Sequence, residues 1–134
     1  MIKDIPQLTV EDIGVCVVKE KDENDVEVWN VYVVNYKSDA IDGVLVTSSG
    51  YGLMNEEKKA TTTLRHFLDR IEPMDFKKVE PIMEDTFGLT NEYWVSFYLD
   101  KKLYDKKFIF LPESITESNF IQVPIIFKRG VLIR

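Results

Sequence analysis

The sequence predicts a mostly β protein, an immunoglobulin-like or related two-layer β-sandwich of seven to eight strands with one amphipathic helix over about 58–71. Three observations carry this reading. Short runs of β-branched and aromatic residues recur along the chain, clusters of Asp, Asn, Ser, Gly and Pro separate them, and helical periodicity occurs in one stretch alone. At 134 residues and 45% hydrophobic composition the chain can bury a core without disulfide staples, and no linker, repeat or low-complexity tract divides it. It is therefore read as a single domain, 1–134.

The first strand is the β-branched run Val15-Cys16-Val17-Val18, and Asp22-Glu23-Asn24-Asp25 turns the chain back. The next run, Val26 to Tyr36, places Trp29, Val31 and Val33 on one face and Val28, Tyr32, Val34 and Tyr36 on the other. Both faces are apolar, as in a strand with neighbours on either side. A turn around Asp42-Gly43 leads into Val44-Leu45-Val46-Thr47, which completes a three-stranded meander, and Ser48-Ser49-Gly50-Tyr51-Gly52 is read as the turn that ends it. The helix follows, because Leu64, Phe67, Leu68 and Ile71 fall at i, i+3, i+4 and i+7, a threonine at 61–63 offers a cap and Pro73 offers a stop. Three consecutive threonines leave an extended start, or an extra edge strand, open.

Phe76 to Met83 contains Pro81, which removes a ladder donor, so it is an edge strand or a loop. Tyr93 to Leu99 alternates Tyr93, Val95, Phe97 and Leu99 with Trp94, Ser96 and Tyr98, and Asp100-Lys101-Lys102 turns it into a return strand through Tyr104 and Phe108 to Leu111. The polar stretch Glu113 to Asn119 has room for one turn of helix. Two last runs, Phe120 to Phe127 and Val131 to Ile133, are joined at Lys128-Arg129-Gly130 as a tight hairpin.

Composition narrows function by exclusion. Seventeen basic against 23 acidic residues give a net charge of −6, and no basic pair grows into a run that could track a polyphosphate, so nucleic acid is not expected as a partner. No apolar stretch has the roughly 20 residues of a membrane span, and Met1-Ile2-Lys3-Asp4-Ile5-Pro6 lacks the pattern of a secretory signal. The single cysteine, Cys16, sits among valines and reads as a buried small hydrophobe in a protein of the reducing cytoplasm.

A single histidine, His66, excludes sites that need two imidazoles, including HExxH zinc centres. There is no G-x-S-x-G elbow, G-x-G-x-x-G loop or P-loop, and Asp22-Glu23-Asn24-Asp25 has Val26 where a calcium loop needs its next oxygen ligand. No cofactor and no metal are expected. The remaining catalytic candidates are His66 with Asp69 at i+3, and the carboxylates Glu80 and Glu84 around Pro81, raw material for acid/base work in a cleft between helix and sheet.

Aromatic residues are the stronger signal. Trp29, Tyr32, Tyr36, Tyr93, Trp94, Tyr98, Tyr104, Phe108 and Phe110 crowd strands whose two faces are both apolar, more than one sheet face hides. The excess points to a protein-interaction or assembly module, with Trp94 and Tyr98 at a protein interface or homodimer contact, ahead of a small enzyme or ligand-binding protein.

Thr61-Thr62-Thr63-Leu64-Arg65-His66-Phe67, Asn91-Glu92-Tyr93-Trp94-Val95-Ser96-Phe97, Tyr104-Asp105-Lys106-Lys107 and Arg129-Gly130-Val131-Leu132-Ile133-Arg134 resemble stretches of a family of short, functionally uncharacterised bacterial proteins, over the whole chain. Some members of that family carry the label phenylalanyl-tRNA synthetase α subunit, which implies at most a translation-associated accessory protein. A class II synthetase catalytic domain is much longer and binds ATP through motif arginines, and an acidic chain without a basic stripe is a poor tRNA binder.

Overall fold

The computed structural model describes residues 8–134; the segment 1–6, on which the expectation about secretion rests, lies outside the described residues. Ten strands follow one another as β1 (Ile13–Lys21), β2 (Glu27–Asn35), β3 (Ile41–Met54), β4 (Glu57–Ala60), β5 (Leu64–Ile71), β6 (Asp75–Pro81), β7 (Thr90–Leu99), β8 (Lys102–Phe110), β9 (Ile121–Val123) and β10 (Lys128–Ile133). They form two antiparallel sheets. The first has the order β6-β2-β1-β10-β9, and the second β4-β3-β7-β8 with β5 also paired to β3. Single 3₁₀ turns at Glu84–Thr86 and Glu117–Asn119 are the helical segments among the described residues, so no helix there is long and apolar enough to cross a membrane.

One core joins the two sheets. Val15 and Val17 of β1, Val31 and Val33 of β2 and Val131 of β10 meet Val44 and Val46 of β3, Tyr93, Val95 and Phe97 of β7, and Phe108 and Phe110 of β8. These are alternate residues of each strand, the period-2 pattern that puts one face of a sheet inside. A second, smaller core lies on the opposite face of the first sheet. Cys16, Val18, Val34 and Tyr36 are covered there by Val123 and Ile126, because the chain between β9 and β10 folds over them. The expected double-faced character of the Val26–Tyr36 run is thus met by two cores, and β2 lies between β1 and β6.

The helix over 58–71 does not form. Its residues make β4 and β5, which pair one after the other with the same edge of β3, while Thr61 bridges the break by donating its backbone N–H to Gly50 and accepting the Gly50 N–H on its hydroxyl. Leu64 and Phe67, placed on the buried stripe of a helix, are exposed; Ile71 is buried and Leu68 partly so. A bulge imitates the helical spacing. Where Val44 faces Asp69 the register shifts, and Asp69 takes a left-handed φ of 60°, so Leu68 and Ile71 reach the core although they are three residues apart.

Three further expectations are corrected. The meander stops at two strands, since β3 leaves β1 and β2 to join the other sheet. Ser48 to Gly52 is no turn; β3 runs through it for 14 residues. The last hairpin turns at 124–127 instead of Lys128-Arg129-Gly130, which begin β10. Gly130 is glycine for closeness, since a Cβ there would run into the Val17 carbonyl oxygen and lie 2.9 Å from Val18 Cα across the β1–β10 pair. The described residues form ten strands in place of seven or eight.

Candidate functional site

The outer face of the second sheet carries four of the large apolar side chains that the two cores leave exposed, Phe67, Trp94, Tyr98 and Leu103. On β7 the alternation that buries Tyr93, Val95 and Phe97 turns Trp94 and Tyr98 outward, at 42% and 49% exposure. Cross-strand registers set their neighbours. Thr47 and Lys107 flank Trp94, Leu103 lies opposite Tyr98, and Leu45 links Phe67 of β5 to Ser96 of β7. Phe67 is 67% exposed and Leu103 52%.

A shallow depression of about 300 Å³ lies at the middle of this face, lined by Leu45, Thr47, Arg65, Trp94, Ser96, Leu103 and Asp105. Lys107 holds its ammonium 4.9 Å from the Trp94 ring centroid, a cation–π contact that steadies the indole in the open. An apolar floor with one cation and one anion at its margins is the composition of a contact surface, aromatic at the centre and polar at the rim. Among the described residues nothing comparable covers it, whereas the outer face of the first sheet has its own lid at 124–127.

His66 and Glu80 meet on the inner side, at the margin between the sheets. The His66 Nε2 and the Ser48 hydroxyl each lie 2.7 Å from Glu80 Oε1, and the Tyr93 hydroxyl donates to Oε2 at 3.1 Å. Burial, and then the negative charge of Glu80 and the hydrogen bond to it, push the Tyr93 phenol well above its ordinary value, so it stays a donor. Glu80 comes from β6, and its three partners from β5, β3 and β7, so the carboxylate braces one sheet against the other. Its side chain is 13% exposed. Nucleophilic catalysis would require Ser48 to donate to His66. Here serine and imidazole converge on one carboxylate oxygen, which leaves the hydroxyl without a separate base.

Asp69 and Glu84 do not join this cluster. Asp69 is exposed at the β5 bulge and, three residues along a strand, is carried away from His66. Glu84 begins a 3₁₀ turn and accepts the indole N–H of Trp29 at 2.8 Å. Among the described residues no group of three or more His, Cys, Asp or Glu side chains is placed to hold a metal ion. Sequence reasoning missed Ser48 and Tyr93 as partners of Glu80, and Phe67 and Leu103 as members of the outer face. Strict alternation in β7 and β8 marks Leu103; Phe67 was hidden by the helical reading. No family model, no curated protein and no solved structure matches this chain.

Proposed function

We propose that the chain is a protein-interaction module, a two-layer sandwich of immunoglobulin-like or related type whose contact surface is the outer face of the β4-β3-β7-β8 sheet. The observation that carries the reading is the asymmetry between the two outer faces. One is sealed by its own small core, and the other leaves Phe67, Trp94, Tyr98 and Leu103 in water. Burying such side chains against a partner gains roughly 25 cal/mol per Å² of apolar surface, and aromatic anchors tend to dominate the energy of an interface. The sheet fixes their backbone positions, and the Lys107 contact steadies Trp94, so less freedom is lost on contact than for a mobile loop.

The test is site-specific photocrosslinking in cells. A photoreactive residue replacing Trp94, Tyr98 or Phe67 should give discrete crosslinked species identified by mass spectrometry, whereas one replacing Glu23, in the β1–β2 turn, should give none. Equal labelling at all four positions would defeat the proposal.

A further inference from the structure

We infer that two copies of this chain join edge to edge through β8, in one antiparallel register, so that their second sheets become a single continuous sheet. Most free edges of the two sheets are poor templates for pairing. β9 has three residues, β4 has four, β5 carries a bulge, and β6 has a register shift and ends in Pro81. β8 differs. It is nine residues long, pairs with β7 without any shift of register, and makes no backbone hydrogen bond on its other side among the described residues. Unpaired strand groups of this kind are a template for another strand.

Lysines on an edge ordinarily discourage such pairing. On β8 their placement selects one partner strand. The outward residues of β8 are Leu103, Asp105, Lys107 and Ile109 in alternation. Consider a two-fold axis through Lys106 and perpendicular to the sheet. Antiparallel pairing then brings Leu103 opposite Ile109 of the other copy and Asp105 opposite Lys107, and the symmetry repeats both pairs. Every outward position meets its complement. On the inward side Tyr104 falls opposite Phe108, and the one like-charged meeting is Lys106 with its own copy on the axis. Moving the axis to Asp105 would set aspartate against aspartate and Leu103 against Lys107, so the charges fix the register as well as the partner. The contact is isologous, as a closed dimer requires.

Residues 100–107 hold four lysines and two aspartates, so two such edges meet with like net charge, and the pairing rests instead on the opposed Asp105–Lys107 pairs and the unpaired backbone. Pairing also sets the two faces bearing Trp94 and Tyr98 side by side. The pairing itself stands on the backbone edge and not on those side chains, so it goes beyond the proposed function and either can fail alone.

The experiment is sedimentation velocity over a concentration series with wild type, Asp105→Lys and Lys107→Asp, each checked for an unchanged β-sheet circular dichroism spectrum. Wild type should dimerise reversibly. Each single substitution turns both charge pairs repulsive and should weaken the dimer by about tenfold or more. An equimolar mixture of the two variants should form a heterodimer, because lysines then face aspartates throughout, and the double exchange Asp105→Lys/Lys107→Asp should dimerise as wild type does. Lys106→Thr should tighten the dimer by relieving the axial repulsion.

A wild type that is monomeric at every concentration, single variants that dimerise unchanged, or a mixture that stays monomeric would each overturn the inference. A dimer that Lys106→Thr fails to tighten would overturn the register. A monomeric wild type that still crosslinks through Trp94 would defeat the pairing and leave the proposed function standing. A wild-type dimer whose outer face crosslinks to nothing would do the reverse.

Discussion

Single side chains decide how the β1 end of the first sheet is held. Glu20 is nearly enclosed, and its carboxylate accepts from Tyr32 at 2.6 Å, from Asn30 at 2.8 Å and from Lys128 at 2.8 Å. Burial alone would push its pKa up, yet hydrogen bonds from Lys128, Tyr32 and Asn30, with the lysine charge, hold it below the usual carboxylate range. A folded-state value below the unfolded one means stability that is present above the unfolded pKa of about 4.3 and is lost as pH falls through the folded value. Glu20→Ala should therefore destabilise the protein at pH 7 by about 1–3 kcal/mol, because it strands the part-buried donors of Asn30 and Tyr32. The wild-type advantage should shrink steadily below about pH 4. Urea titrations of both proteins at pH 7 and pH 3 check this, and a pH-independent difference would show that packing, not charge, is what Glu20 supplies. At the same scale, Cys16 has its thiol pushed up to about 12, chiefly by burial, so thiol reagents should reach it only when the protein opens. Alkylation under native conditions at the rate of a free thiol would contradict the covering of β1 by 124–127.

Elements show where local rules give way to tertiary ones. Gly130 on β10 lies so near β1 that Gly130→Ala must push the strands apart, at a cost of about 1–3 kcal/mol typical of overpacking. A thermal melt measures this, and an unchanged melting temperature would show that β10 shifts freely. The sequence alone places Gly130 in a turn, because glycine beside two basic residues is what a turn and a tight strand crossing both look like. Strands β1, β2, β7 and β8 were legible to within a few residues, since each alternates strictly or carries continuous β-branched runs. Where β3 goes was not legible, as its alternation says which face is buried and not which sheet it joins. The helix over 58–71 misled for a physical reason: a bulged strand with one face in water can space Leu64, Phe67, Leu68 and Ile71 as a helix does. Pairing of His66 with a carboxylate was foreseeable from their types, while the choice of Glu80 over Asp69 depended on that strand and its bulge.

At the scale of the whole molecule the two sheets differ in what they ask of their outer faces. The first sheet carries Tyr32, Tyr36, Phe76 and Leu132 on its outer side and uses them, with Ile125 and Ile126, in a second core. The second sheet turns Phe67, Trp94, Tyr98 and Leu103 outward, and among the described residues no segment returns to cover them. Side chains left exposed in this way gain less from folding than those enclosed in the core, because much of their surface stays in water in both states. Phe67→Thr should shift the unfolding free energy by less than about 1 kcal/mol, and Trp94→Thr, which also loses the Lys107 contact, by about 1–2 kcal/mol, since threonine suits a strand and no cavity is left. Phe97→Ala and Phe108→Ala, on the inner face of the same sheet, should cost about 3–5 kcal/mol each, from lost burial and the hole left behind. Urea denaturation of the four variants compares the two faces directly. If Trp94→Thr proved as damaging as Phe97→Ala, the outer aromatics would belong to the fold. A small effect on stability joined to lost crosslinking at that face would mark them as residues kept for contact with another molecule.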